Sequence, residues 1–131
     1  MDWNIWDNGA DFGDLQGLTL TKVVASSRNE EVHFFAESGE EFVLMHFQDC
    51  CESVGLEKVI GNLEDIIGIP VLFAENVSES YPNNDYQNDD GIYEEHYFKV
   101  GTAKGNVVFK WTGDSNGYYS VGVDFIKVPN A

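Results

Sequence analysis

The chain has 131 residues, 43% of them apolar and 14% aromatic, which suits one folded domain with its own core and excludes global disorder. Twenty-three acids against seven bases leave a net charge of −16. A field of that sign repels nucleic acid and anionic membrane surfaces, so the acids are left to face a basic protein surface, a cation or water.

Residues 1–14 place Trp3, Trp6 and Phe12 among Asp2, Asp7, Asp11 and Asp14. They read as an acidic aromatic arm ahead of a single domain over residues 15–131, with rings suited either to folding back on the body or to engaging a partner. The first residues show neither the basic region nor the apolar stretch of a signal peptide. No apolar run approaches the roughly 20 residues of a membrane-spanning helix, and a cytoplasmic chain is expected.

High β-branched content predicts strands over 18–26, 32–36 and 42–47, joined at Ser27-Arg28-Asn29 and Glu37-Ser38-Gly39-Glu40 as a meander. Leu56, Val59, Ile60, Leu63, Ile66 and Ile67 then fall at offsets 0, 3, 4, 7, 10 and 11, the stripe of a helix packed on a core. Asn62 and Asp65 resemble a capping pair within it, and Gly68 and Pro70 end it. A short strand at 71–74 is followed by a polar, Asn-rich stretch over 75–91 that reads as a long exposed loop. Strands over 93–102, 107–112 and 118–128 form a second meander. The expected fold is α+β: antiparallel sheet in the order βββ-α-ββββ with one helical segment packed on it.

Chemistry-bearing residues gather in two places. His33, His46, Cys50 and Cys51 offer soft and borderline ligands of the kind that hold Zn²⁺. A hairpin centred on Ser38-Gly39 would set His33 opposite Leu44 and diagonal to His46 on one face. Against this, adjacent cysteines lack the spacing that lets two thiolates face one ion, and they rarely close a disulfide. The same residues also read as a loop with small apolar thiols, and the neighbouring acids Asp49 and Glu52 disfavour a reactive thiolate. The second group is acidic: Glu75, Glu79, Asp85, Asp89, Asp90, Glu94 and Glu95 lie in a stretch between Lys58 and Lys99 that holds no base. The spacing around Asp85 to Gly91 puts tyrosines where an EF-hand needs carboxylates, which rejects that motif. No nucleophile elbow, phosphate loop, zinc-protease motif or dinucleotide fingerprint occurs, so neither an enzyme nor a resident cofactor is expected.

Three ordered segments carry a family likeness: His46-Phe47-Gln48-Asp49-Cys50-Cys51-Glu52-Ser53-Val54, Gly61-Asn62-Leu63-Glu64-Asp65-Ile66-Ile67-Gly68, and Trp111-Thr112-Gly113-Asp114-Ser115-Asn116-Gly117-Tyr118-Tyr119-Ser120. Together they resemble a family of small, uncharacterised bacteriophage and prophage proteins classed as a domain of unknown function. The resemblance spans about residues 15–126 and implies a phage origin, a setting in which small acidic proteins serve as inhibitors of host defence, anti-CRISPR proteins among them. Charge and setting together lead to the expectation of a non-enzymatic protein-binding inhibitor that presents the acids from Glu75 to Glu95 to a basic, nucleic-acid-binding host protein. The alternatives are a metal or small-ligand module on the His/Cys group, and acidity that serves only solubility.

Overall fold

The computed structural model describes residues 9–25, 31–46, 52–82, 92–115 and 123–129. Among them the chain forms eight strands: β1 (Leu20–Ala25), β2 (Glu31–Ala36), β3 (Glu41–Met45), β4 (Glu52–Ile60), β5 (Phe73–Pro82), β6 (Ile92–Thr102), β7 (Gly105–Ser115) and β8 (Asp124–Lys127). Two short 3₁₀ turns, Phe12–Leu15 and Leu63–Ile66, complete the regular structure. The strands make two antiparallel sheets of four, ordered β1-β2-β3-β8 and β4-β7-β6-β5. No described helix is long and apolar enough to cross a membrane.

The expected α+β class is therefore wrong, and the error lies in the segment from Leu56 to Ile67. Its first half is strand β4, paired with β7 along its length. Leu56 faces Trp111 but Lys58 faces Lys110, so Glu57 is an extra residue in a β-bulge. The bulge stretches the inward spacing from two residues to three: Leu56 and Val59 both pack toward the core, as a helix would place positions i and i+3. Ile60, which a helical stripe would bury, is 46% exposed. Gly61 at φ +108° turns the chain, Asn62 accepts a hydrogen bond from the Glu64 N–H at 3.0 Å, and the 3₁₀ turn that follows buries Ile66. The side chain of Thr102 donates to the carbonyl of Asp65 and Lys104 Nζ to that of Ile67, which ties this turn to the β6–β7 connection.

The expected loop over 75–91 also fails in its first half, because Glu75 to Pro82 belong to β5, which pairs with β6 in unbroken register. From Glu75 to Ser80 the strand is exposed on both faces, and a strand with no buried side lacks the apolar alternation that marks strands in sequence.

The core lies between the sheets and is built of rings. Phe34 of β2 meets Phe109 of β7 edge to face at 5.4 Å, and Phe42 stacks on Phe125 at 5.3 Å. Phe12 inserts between them, 5.1 Å from both Phe98 and Phe125. The segment from Gly9 thus folds onto the body: Gly9 bridges Ile126, and the Ala10 N–H donates to the Phe125 carbonyl at 2.9 Å. On the far side of the first sheet, the cross-strand neighbours Val43 and Ile126 are also buried. The β1–β2, β3–β4, β5–β6 and β7–β8 connections all leave from one end of the sandwich, where Ala25 pairs with Val32, Met45 with Asp124, and Ser115 with both Glu52 and Ile92.

Candidate protein-binding face

Alternation along β5, β6 and β7 sorts the second sheet into a core side and a water side. Phe98, Val100, Val107, Phe109 and Trp111 point inward and are buried. Register then places Glu75 beside Lys99, Val77 beside Tyr97 and Glu79 beside Glu95 on the outer face, with Lys110 next to Tyr97 and Asp114 next to Tyr93. Phe73 and Val77 stay 38% and 43% exposed on this face, so acids, tyrosines and apolar side chains share one surface.

Its electrostatic centre is Lys110. The ammonium lies 2.9 Å from Glu95 Oε2 and 3.1 Å from Glu57 Oε2, and 5.8 Å from the centroid of the Tyr97 ring. Tyr97 donates its hydroxyl to Glu95 Oε2 at 2.8 Å. Hydrogen bonds from Lys110 first, and then from Tyr97, hold the Glu95 carboxyl below its ordinary value. The two carboxylates in turn raise the Lys110 ammonium above the usual lysine range. Tyr97 is raised chiefly because its proton is held by Glu95, and Tyr93 chiefly by burial, with Glu95 and Glu57 adding to it. Beside this network a shallow groove of about 270 Å³ is lined by Glu57, Tyr93, Thr112 and Asp114. Nothing in the sequence singles out Glu57, Tyr93 or Tyr97 as site residues. The signal that finds Tyr93 and Tyr97 is the parity of β6, which becomes usable once the register of its hairpin with β7 is known, whereas Glu57 sits in the β4 bulge, where parity is broken.

A family model matches residues 14–125, described as a domain of unknown function, DUF7448. The chain belongs to the DUF7448 family. No curated protein and no solved structure matches it. The DUF7448 match runs from the first 3₁₀ turn into β8, so it takes in both sheets and the whole acidic face.

The acids singled out in sequence divide within this DUF7448 domain. Glu75, Glu79 and Glu95 share the outer face. Glu94 lies on the opposite side of β6, where its Oε1 is 2.9 Å from Nε2 of the buried His96. Asp85, Asp89 and Asp90 lie outside the described residues. The base-free stretch of sequence is not base-free in space, since Lys99 and Lys110 enter the same face from β6 and β7.

The histidines are not brought together. The β2–β3 hairpin pairs His33 with Val43, not Leu44, and a slip of one residue sends every side chain to the other face. His33 stands on the water side, with Nδ1 2.8 Å from Glu41 Oε2 and Nε2 2.8 Å from Glu31 Oε1. His46 follows β3 and is buried. Cys50 and Cys51 lie outside the described residues. Among the described residues no three His, Cys, Asp or Glu side chains are placed to hold a metal ion.

Proposed function

We propose that this domain is a non-enzymatic protein-binding module that offers the outer face of β5 and β6 to a basic, nucleic-acid-binding surface on another protein. The observation that carries this reading is the direct opposition of Glu79 and Glu95 across β5 and β6. Glu95 is engaged by Lys110 and Tyr97 within the domain, whereas Glu79, directly across from it on the edge strand, is exposed and adds a second negative charge to the same surface, where a partner's base would relieve the like-charge opposition. Exposed Val77 and Phe73 beside them supply apolar contact area, and the acids supply steering and orientation. In the phage setting implied by the sequence resemblance, the partner is a nucleic-acid-binding component of host defence, and the domain inhibits it by occupying that surface.

The test is affinity capture from a bacterial host lysate on the immobilised chain and on a Glu75→Gln, Glu79→Gln variant. The expected result is a nucleic-acid-binding protein that the native chain retains, that added DNA or RNA competes away, that elutes as salt rises, and that the variant fails to hold. Equal retention by both chains, or retention indifferent to salt and nucleic acid, overturns the reading.

A further inference from the structure

Strand β5 is the last strand of its sheet, and among the described residues no strand lies beyond it. Every second residue of such an edge directs its backbone N–H and C=O away from the sheet, toward water or an added strand. Protein edges are commonly blunted by short length, bulges, lysines or proline. From Phe73 to Tyr81, β5 has none of these: its pairing with β6 runs from Phe73 to Pro82 without a bulge, it carries no lysine, and its proline comes at the end. Its side chains from Glu75 to Ser80 are all exposed. Among the described residues the first 3₁₀ turn packs against β5, with Gly13 approaching the Ala74 carbonyl near the start of the strand.

Resting on the acidic-face reading above, we infer that β5 is the docking edge: an extended, basic segment of the partner protein adds to it as a fifth strand of the second sheet. Side chains of the added strand alternate as those of β5 do. On the outer face they meet Glu75, Val77 and Glu79, which calls for a basic, an apolar and a basic residue at alternate positions. On the other face they meet Asn76, Ser78 and Ser80, which calls for small polar residues. A second copy of this chain fits worse. Antiparallel pairing of β5 with itself that sets Val77 against Val77 also sets Glu75 against Glu79 at both flanks, between molecules that each carry a charge of −16.

The probe is a short synthetic peptide with lysine, valine and lysine at alternate positions and threonine between them, titrated into the full chain at low salt and followed by fluorescence anisotropy. Two further peptides carry backbone N-methyl groups on one or the other alternate set of residues, which blocks one set of N–H donors and leaves the charges intact. The expected result is binding by the parent peptide, loss of binding for one methylated peptide and near-native binding for the other. Charge reversal by Glu75→Lys and Glu79→Lys should weaken the parent by roughly tenfold. If both methylated peptides bind like the parent, the acidic face stands and the edge inference is overturned. If the parent does not bind at all while sedimentation shows a folded monomer, the acidic-face reading falls with it. A concentration-dependent dimer that Val77→Lys dissolves would assign the edge to a second copy and also overturn the inference.

Discussion

The ring of Phe73 lies over Gly101, its neighbour across β5 and β6: a methyl group added at position 101 would come within 2.0 Å of Phe73 Cε1. The glycine is what allows the ring to cover the ladder at the start of β5. Phe73 is partly exposed and can swing aside, so Gly101→Ala is expected to lower stability by only about 1 kcal/mol while freeing the ring. Gly61→Ala should cost more, about 2 kcal/mol or above. There φ is +108° and the methyl group would meet the backbone carbonyl oxygen of Asn106 at 2.7 Å, with nothing flexible to yield. Urea midpoints of the two variants rank them.

The Lys110 network gives stability a defined pH dependence. A carboxyl held below its ordinary value of 4.5 in the folded chain, as Glu95 is, stabilises above that value and loses its contribution as pH falls through the lowered one. The raised Lys110 contributes below its ordinary value of 10.5 and loses its contribution only as pH climbs well past it. Lys110→Met is therefore expected to lower the urea midpoint at neutral pH, and the gap from the native chain should close on acidification below the carboxylate range. A gap that does not change with pH would mean that packing of the lysine stem, not its charge, sets the loss. Glu95→Gln, followed by ultraviolet absorbance, should bring the Tyr97 phenol back toward its ordinary value of 10.0.

Trp111 is fully buried, and its indole N–H finds no acceptor among the described residues. An unpaired buried donor costs about 1–3 kcal/mol, and this partly offsets what the ring gains by packing. Trp111→Phe, which removes the donor and keeps most of the volume, should therefore cost less than about 2 kcal/mol, whereas Trp111→Ala should cost about 3–5 kcal/mol. Thermal unfolding of the pair separates the two contributions.

Replacing Glu79, which faces Glu95 across the sheet, should stabilise the fold even as it removes binding. Glu79→Lys turns a like-charge pair into an opposite one. Its melting temperature is expected to rise at low salt, with the gain fading toward molar salt as screening sets in. A drop at low salt would place Glu79 among the residues that hold the sheet.

Among the strands that sequence revealed, β2, β6 and β7 alternate because a core lies on one side of them, and β3 reads as a short apolar run because both its sides are buried. What it hid falls into two physical cases. Glu57 adds one residue to β4, and the resulting three-residue spacing from Leu56 to Val59 imitates a helix. In β5 neither side is covered from Glu75 to Ser80, so no pattern distinguishes it from a loop. The acidic face was half legible. Glu75, Glu79 and Glu95 share a parity that places them together, but the lysine that orders Glu95 arrives from a different strand, and which side of β6 Glu94 takes depends on register. The same one-residue sensitivity undid the proximity expected of His33 and His46.

Strand β8 closes the first sheet by pairing with β3, from which it is separated by the entire second sheet in sequence. During synthesis β1, β2 and β3 leave the ribosome long before it, so the ring of Phe42 awaits the Phe125 ring that stacks on it. The second sheet closes earlier, when β7 pairs with both β6 and β4. A nascent chain halted before Asp124 therefore holds the complete second sheet but only three strands of the first, with Phe42 lacking the ring that stacks on it and the β3 edge open to proteases and chaperones.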